Sequence, residues 1–154
     1  MENKDRLVVG MDELVPIFKE QLSQGKSICF SPKGISMLPM LRQGKDTVTL
    51  SLPSQKLKKY DIPLYQRDDG KYILHRIVSA GDDYTCIGDN QFTYEYGIRP
   101  EQIIAVVTSF SRGKKEHAVN TLTYKIYCRL WHYSRPLRHF WRRVWGKLKR
   151  TFFR

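Results

Sequence analysis

Charge is segregated along this chain, and that order constrains the fold more than any single motif. Residues 1–111 hold fourteen Lys/Arg and fourteen Asp/Glu, whereas residues 112–154 hold thirteen Lys/Arg and one acid, Glu116. The entire net charge of +12 therefore sits in the last 43 residues, with nine of the chain's Phe, Trp and Tyr side chains. This predicts a neutral domain, 1–111, followed by a basic aromatic tail, 112–154, with a boundary near Arg112-Gly113-Lys114-Lys115. A nucleic-acid binder with cations spread over its body is not what this distribution describes.

A content of 41% hydrophobic and 27% charged residues fits one folded domain with an appendage and excludes low complexity. The longest run without a charged side chain is the ten residues Gln102–Ser111, against roughly 20 for a membrane-spanning helix. Met1–Arg6 carry mixed charge and lead into no apolar run, so no secretory signal is expected. Cys29, Cys86 and Cys128 form neither a disulfide framework nor a CxxC pair, which favours a reducing, cytoplasmic compartment.

Within the neutral part, Asp12–Gln24 reads as a helix: Leu14, Val15, Phe18 and Leu22 share a face, Pro16 lies in its first turn and Gly25 stops it. The pattern then changes to period two. Ser27–Ser31, Thr47–Leu52, Pro63–Gln66, Tyr72–Ser79, Tyr84–Ile87 and Ile103–Phe110 are predicted strands, joined by short turns and so mostly antiparallel.

Three segments carry possible chemistry. Gly34-Ile35-Ser36-Met37-Leu38-Pro39 sets a small hydroxyl between a glycine and a proline in a loop. His75 alternates with Ile73 and Ile77 and so points where apolar residues point; an imidazole held on a rigid strand suits a general base. Gly88-Asp89-Asn90 follows the strand expected to pair with the histidine strand, and its carboxylate could orient that base. Each has a plainer reading: a turn serine, a hydrogen-bonded core histidine and a hairpin turn.

Together, in this order, the three segments resemble the signal peptidase I and LexA-like superfamily of serine peptidases. The nearer likeness is to the signal peptidase branch of archaea and the endoplasmic reticulum, whose general base is His. The resemblance spans about Lys33 to Val107. It implies a mostly β, LexA/signal-peptidase-like antiparallel domain with an N-terminal helix, no metal and no cofactor. It matches Ser36 to the nucleophile, His75 to the base and Asp89 to the acid of the Gly-Asp-Asn box. A second acid of that branch falls on Glu95, and either Asp89 or Glu95 could orient His75. The turn Gly44-Lys45-Asp46 departs from the family by one inserted residue, and the N-terminal anchor of signal peptidases is not expected here. Ala80-Gly81 follows His75 in a predicted hairpin, so LexA-type self-cleavage is not expected. The implied activity is that of a serine endopeptidase cutting an extended leader or propeptide through a Ser/His acyl-enzyme.

In the tail, Leu137, Phe140, Trp141, Val144, Trp145, Leu148 and Phe152 form one helical stripe, and Arg138, Arg142, Arg143, Lys147, Lys149 and Arg150 take the remainder. Pro136 suits the start of that helix, and an earlier one, about Thr121–Tyr133, carries Leu122, Ile126 and Leu130 on one side. Such a stripe can pack on the β domain. A Trp/Phe face opposite a Lys/Arg face is also the pattern of an interfacial helix on anionic lipid, where each cation contributes about 1 kcal/mol. The expectation is a peripheral seat on the inner face of a membrane, with nucleic acid the less favoured partner and the oligomeric state open. The alternative is a catalytically silent module that binds peptide or nucleic acid through the tail.

Overall fold

The structure is a computed structural model that describes residues 10–152, with side chains described for 10–145. Met1–Arg6 and the side chains of Lys147, Leu148, Lys149, Arg150 and Phe152 lie outside the described ones.

The first helix, α1 (Met11–Ser23), buries Val15, Phe18 and Leu22, each worth about 1.5–3 kcal/mol when removed from water. It ends where Gly25 adopts φ 74°, a left-handed conformation that favours glycine, with its amide bonded to Leu22 O at 2.9 Å. Pro16 lies inside the helix, one residue deeper than expected, because the helix begins at Met11.

Nine strands follow among the described residues: β1 (Ile28–Phe30), β2 (Val48–Ser51), β3 (Pro63–Gln66), β4 (Tyr72–Leu74), β5 (Arg76–Ala80), β6 (Tyr84–Ile87), β7 (Glu95–Ile98), β8 (Ile103–Arg112) and β9 (Lys115–Ala118). They pair antiparallel throughout, as short connections require. One sheet has the order β1-β2-β8-β3-β4, with β9 on the far end of β8; the other is β5-β6-β7. The long strand β8 pairs with β2, β3 and β9 and so ties the larger sheet together.

The predicted strand Tyr72–Ser79 is two strands. Leu74 pairs with Leu64 in the larger sheet, whereas Arg76 pairs with Ile87 in the smaller, so the chain changes sheets at His75. Each sheet covers its own apolar cluster. The larger contains Val15, Leu22, Val48, Leu50, Leu64 and Val107, and the smaller Tyr65, Ile77, Tyr84, Cys86 and Ile98 with Ile73 against it. Ile73 and Ile77 thus face one cluster, as period two requires, although they belong to different sheets.

The charge boundary at Arg112 falls inside the β8–β9 hairpin, where Arg112 pairs with Lys115 and Ser109 with Ala118. After it come α2 (Leu122–Tyr133) and α3 (Arg135–Phe152), separated by Ser134. Tyr124 and Cys128 of α2 are buried in the larger cluster. The basic segment therefore begins as part of the same packed body. Charge marks where the surface changes, whereas packing crosses that point because α2 presents its Tyr124/Cys128 side to the core.

Candidate active site

His75 occupies the joint between the sheets, and its side chain is 3% exposed. Its Nδ1 lies 2.8 Å from Glu95 Oε1, a close charge contact off the line of a directed N–H···O bond. Glu95 opens β7, opposite Cys86 of β6. The Tyr65 hydroxyl donates to Glu95 Oε2 at 2.9 Å and Arg67 Nε to the same oxygen at 2.7 Å. Arg67 Nη2 also approaches Oε1 at 2.6 Å. Two side chains, through three contacts, thus hold one carboxylate beside one imidazole.

The electrostatics suit a base. Burial pushes the His75 imidazole below its ordinary value, partly opposed by Glu95, so the ring is neutral near pH 7. Burial would raise the Glu95 carboxyl, but hydrogen bonds from Arg67 and Tyr65 outweigh it and hold Glu95 below its ordinary value, ionised. An anion beside Nδ1 favours the tautomer with its proton there, leaving the Nε2 lone pair to accept.

Nε2 faces the loop that carries Ser36. A Cβ added at Gly88 would sit 3.1 Å from His75 Nε2 and 2.7 Å from the Ser36 carbonyl oxygen. Glycine is therefore required where the turn after β6 passes between ring and loop. Asn90 continues the support: its backbone N–H donates to Ser36 O at 2.8 Å and its side-chain amide to Ile35 O at 3.1 Å. Ser36 and His75 line one cavity of about 110 Å³ with Pro32, Lys33, Tyr72 and Leu74. Among the described residues the Ser36 hydroxyl makes no hydrogen bond to His75, a looseness common in sites without substrate. The far end of the loop is tied down by the fully buried Asp46. It accepts from Arg42 N, Nε and Nη2 at 2.8–2.9 Å, bonds that hold its carboxyl at about 2. Asp46, at the end of the turn Gly44-Lys45-Asp46, thus has a structural partner in Arg42.

Asp89 is elsewhere. Its carboxylate is completely buried and accepts from Arg76 Nε at 2.8 Å and Nη2 at 2.7 Å. The fully buried guanidinium also donates to the Tyr124 hydroxyl at 2.7 Å, Cys128 Sγ at 2.9 Å and Tyr60 O at 3.2 Å. Burial opposes its charge, and Asp89 outweighs that, holding Arg76 well above its ordinary value. From α2 and α3, Trp131 Nε1 and Arg138 Nη1 donate to the Asp89 carbonyl at 2.9 and 3.2 Å, and Arg142 to Asn90 O at 3.3 Å. Of the two acids the sequence left open, Glu95 stands beside His75, and Asp89 anchors the turn from behind. Tyr65, Arg67, Arg76 and Trp131 were not foreseen. Alternation along β3 sets Tyr65 and Arg67 on one face, but nothing local shows that Glu95 lies opposite.

Among the described residues no His/Cys/Asp/Glu group could hold a metal ion. The chain matches no protein-family model, no curated protein and no solved structure.

Proposed function

We propose that this chain is a serine endopeptidase of the signal peptidase I-like type, cleaving an extended leader or propeptide beside a membrane surface. The observation that carries this reading is a buried imidazole held between a carboxylate and a serine loop, with Gly88 passing between ring and loop. In this chemistry Ser36 Oγ attacks a peptide carbonyl as Nε2 of His75 takes its proton, and the imidazolium is stabilised by Glu95. The ring then returns the proton to the leaving amine. Water repeats the cycle on the acyl-enzyme.

The edge position of β4 supports an extended substrate. β4 ends its sheet, and Tyr72, Ile73 and Leu74 line the Ser36/His75 cavity. A second cavity, lined by Leu14, Phe30, Leu64, Tyr72 and Leu74, shares Pro32 and Lys33 with the first. A peptide added to that edge would gain main-chain hydrogen bonds and offer apolar side chains to this channel.

The membrane part rests on α2 and α3. Leu122, Ile126, Leu130, Tyr133, Leu137, Phe140, Trp141 and Trp145 are 47–72% exposed. Their spacing, mostly three or four residues, continues past Ser134, so both helices carry exposed apolar side chains. Lys125, Arg129 and Arg143 are exposed along one flank, and no acid follows Glu116. Apolar strip and basic flank fit the interface of an anionic bilayer. Among the described residues no helix is long and apolar enough to cross one.

Peptidase activity is tested by incubating wild type, Ser36→Ala and His75→Ala with leader peptides and a serine-directed acylating probe. Mass spectrometry should find the acyl group on Ser36 in wild type alone, with peptide cleavage lost in both variants. Equal inertness of all three, with peptide capture unaltered by His75→Ala, would identify a binding module instead.

A further inference from the structure

The joint between α2 and α3 holds a cation with no counter-charge. Arg135, the first residue of α3, is 6% exposed. Its Nε and Nη1 are buried without a hydrogen-bond partner, and no acid pairs with it among the described residues. Its Cζ lies 5.9 Å from the centre of the Tyr94 ring. A buried guanidinium is costly unless an anion meets it. Arg76, the other buried arginine, has Asp89 for that purpose.

Arg135 lines a cavity of about 360 Å³ with Phe92, Tyr94, His132, Tyr133 and His139. None of its lining residues is acidic. His132 Nδ1 is a third buried polar atom without a partner in this wall, and nearby Lys59, Arg135 and Arg76 make its surroundings positive. The His139 ring, stacked on Phe92 at 4.6 Å, closes another side. Donors without acceptors, positive potential and room for a small group coincide. Tyr133 belongs both to this cavity and to the exposed apolar strip, so the opening adjoins the surface assigned above to lipid.

We infer that this cavity binds a phosphate-type anion, with Arg135 as its principal ligand and His132 and His139 beside it. A phosphate in the cavity would supply the counter-charge that Arg135 lacks and oxygens for its guanidinium, in the geometry such a group favours. Such a group is carried by an anionic phospholipid headgroup and equally by free phosphate. The site is independent of the peptidase reading. It borrows from the membrane reading only the nearness of the strip.

The test follows the arginine Nε–H resonances of the full chain by NMR during titration with inorganic phosphate, and separately with phosphatidic acid in nanodiscs. Arg135 should shift in at least one arm, and Arg135→Gln should weaken that binding about tenfold or more, the loss expected for a charge-assisted contact. A response to both, stronger for the nanodisc, assigns a lipid headgroup; a response to phosphate alone assigns a soluble phosphate compound. Either supports the site. Unmoved Arg135 resonances in both arms overturn it, as does unchanged affinity in Arg135→Gln. The resonance measurement needs only wild type, so it stands even if the variant folds poorly. Ser36→Ala should titrate as wild type does, which separates a failure here from a failure of the peptidase reading.

Discussion

His75 shows how little of a side chain's acid–base character lies in its own identity. Burial disfavours the charge of its imidazole while Glu95, 2.8 Å from Nδ1, opposes that effect, the balance that the proposed base would need. A base whose value is lowered stays neutral to lower pH. The acid limb of Ser36 acylation should therefore fall below pH 6.5, the ordinary imidazole value. Glu95→Gln removes an influence that raises the ring's value, so the limb should move to still lower pH. The plateau rate should drop about 10⁴-fold, the size of the corresponding carboxamide change in another serine hydrolase. The rate of acylation measured against pH checks both; a limb that moves upward would refute this role for Glu95. Ser36, His75 and Glu95 could each be picked out from sequence as candidates. The choice between Glu95 and Asp89 could not, because it depends on which carboxylate the sheets bring to Nδ1 and which to Arg76.

The elements divide in the same way. Those with a strong apolar period were legible: α1, α2, α3 and the strands from β1 to β6 and β8 lie near their expected positions. β7 and β9 were missed, since Glu95-Tyr96-Gly97-Ile98 and Lys115-Glu116-His117-Ala118 lack the β-branched alternation that marks a strand. Their pairing comes from neighbours, β6 and β8. The face that α2 buries was equally hidden. Its aliphatic side, Leu122, Ile126 and Leu130, is exposed, while Tyr124 and Cys128 go inward to meet Arg76. Polar partners outranked hydrophobicity. The resulting strip gives a direct measurement: wild type should co-sediment with phosphatidylcholine–phosphatidylglycerol vesicles and less with phosphatidylcholine alone. Replacing Leu137 and Trp141 together by Ser should weaken that partition at least about tenfold, given the apolar area each would bury. A dimer that ignores vesicles and dissociates on the same change would assign the strip to a second copy.

Across the whole molecule, the tail and the site share a frame. Arg76 and Asp89 lie between them, with Tyr124, Cys128, Trp131 and Arg138 on one side and the Asn90–Ser36 contact on the other. Tyr124 belongs to the segment that charge would set apart, yet it is buried in the main cluster. Tyr124→Ala should cost about 3–5 kcal/mol in denaturant unfolding, as for other large aromatic truncations. An unchanged midpoint would mean that the tail is an independent appendage. Charge order, helical period and turn chemistry are properties of neighbouring residues, so an unfolded string already displays them: a β body, one leading helix and a basic aromatic end. Which acid meets the histidine, where a continuous apolar run breaks between two sheets, and which helix face turns inward depend on groups tens of residues apart. Those choices arise only when burial forces Arg76, Asp89, His75 and Glu95 each to find a polar partner within reach, and only the folded chain supplies them.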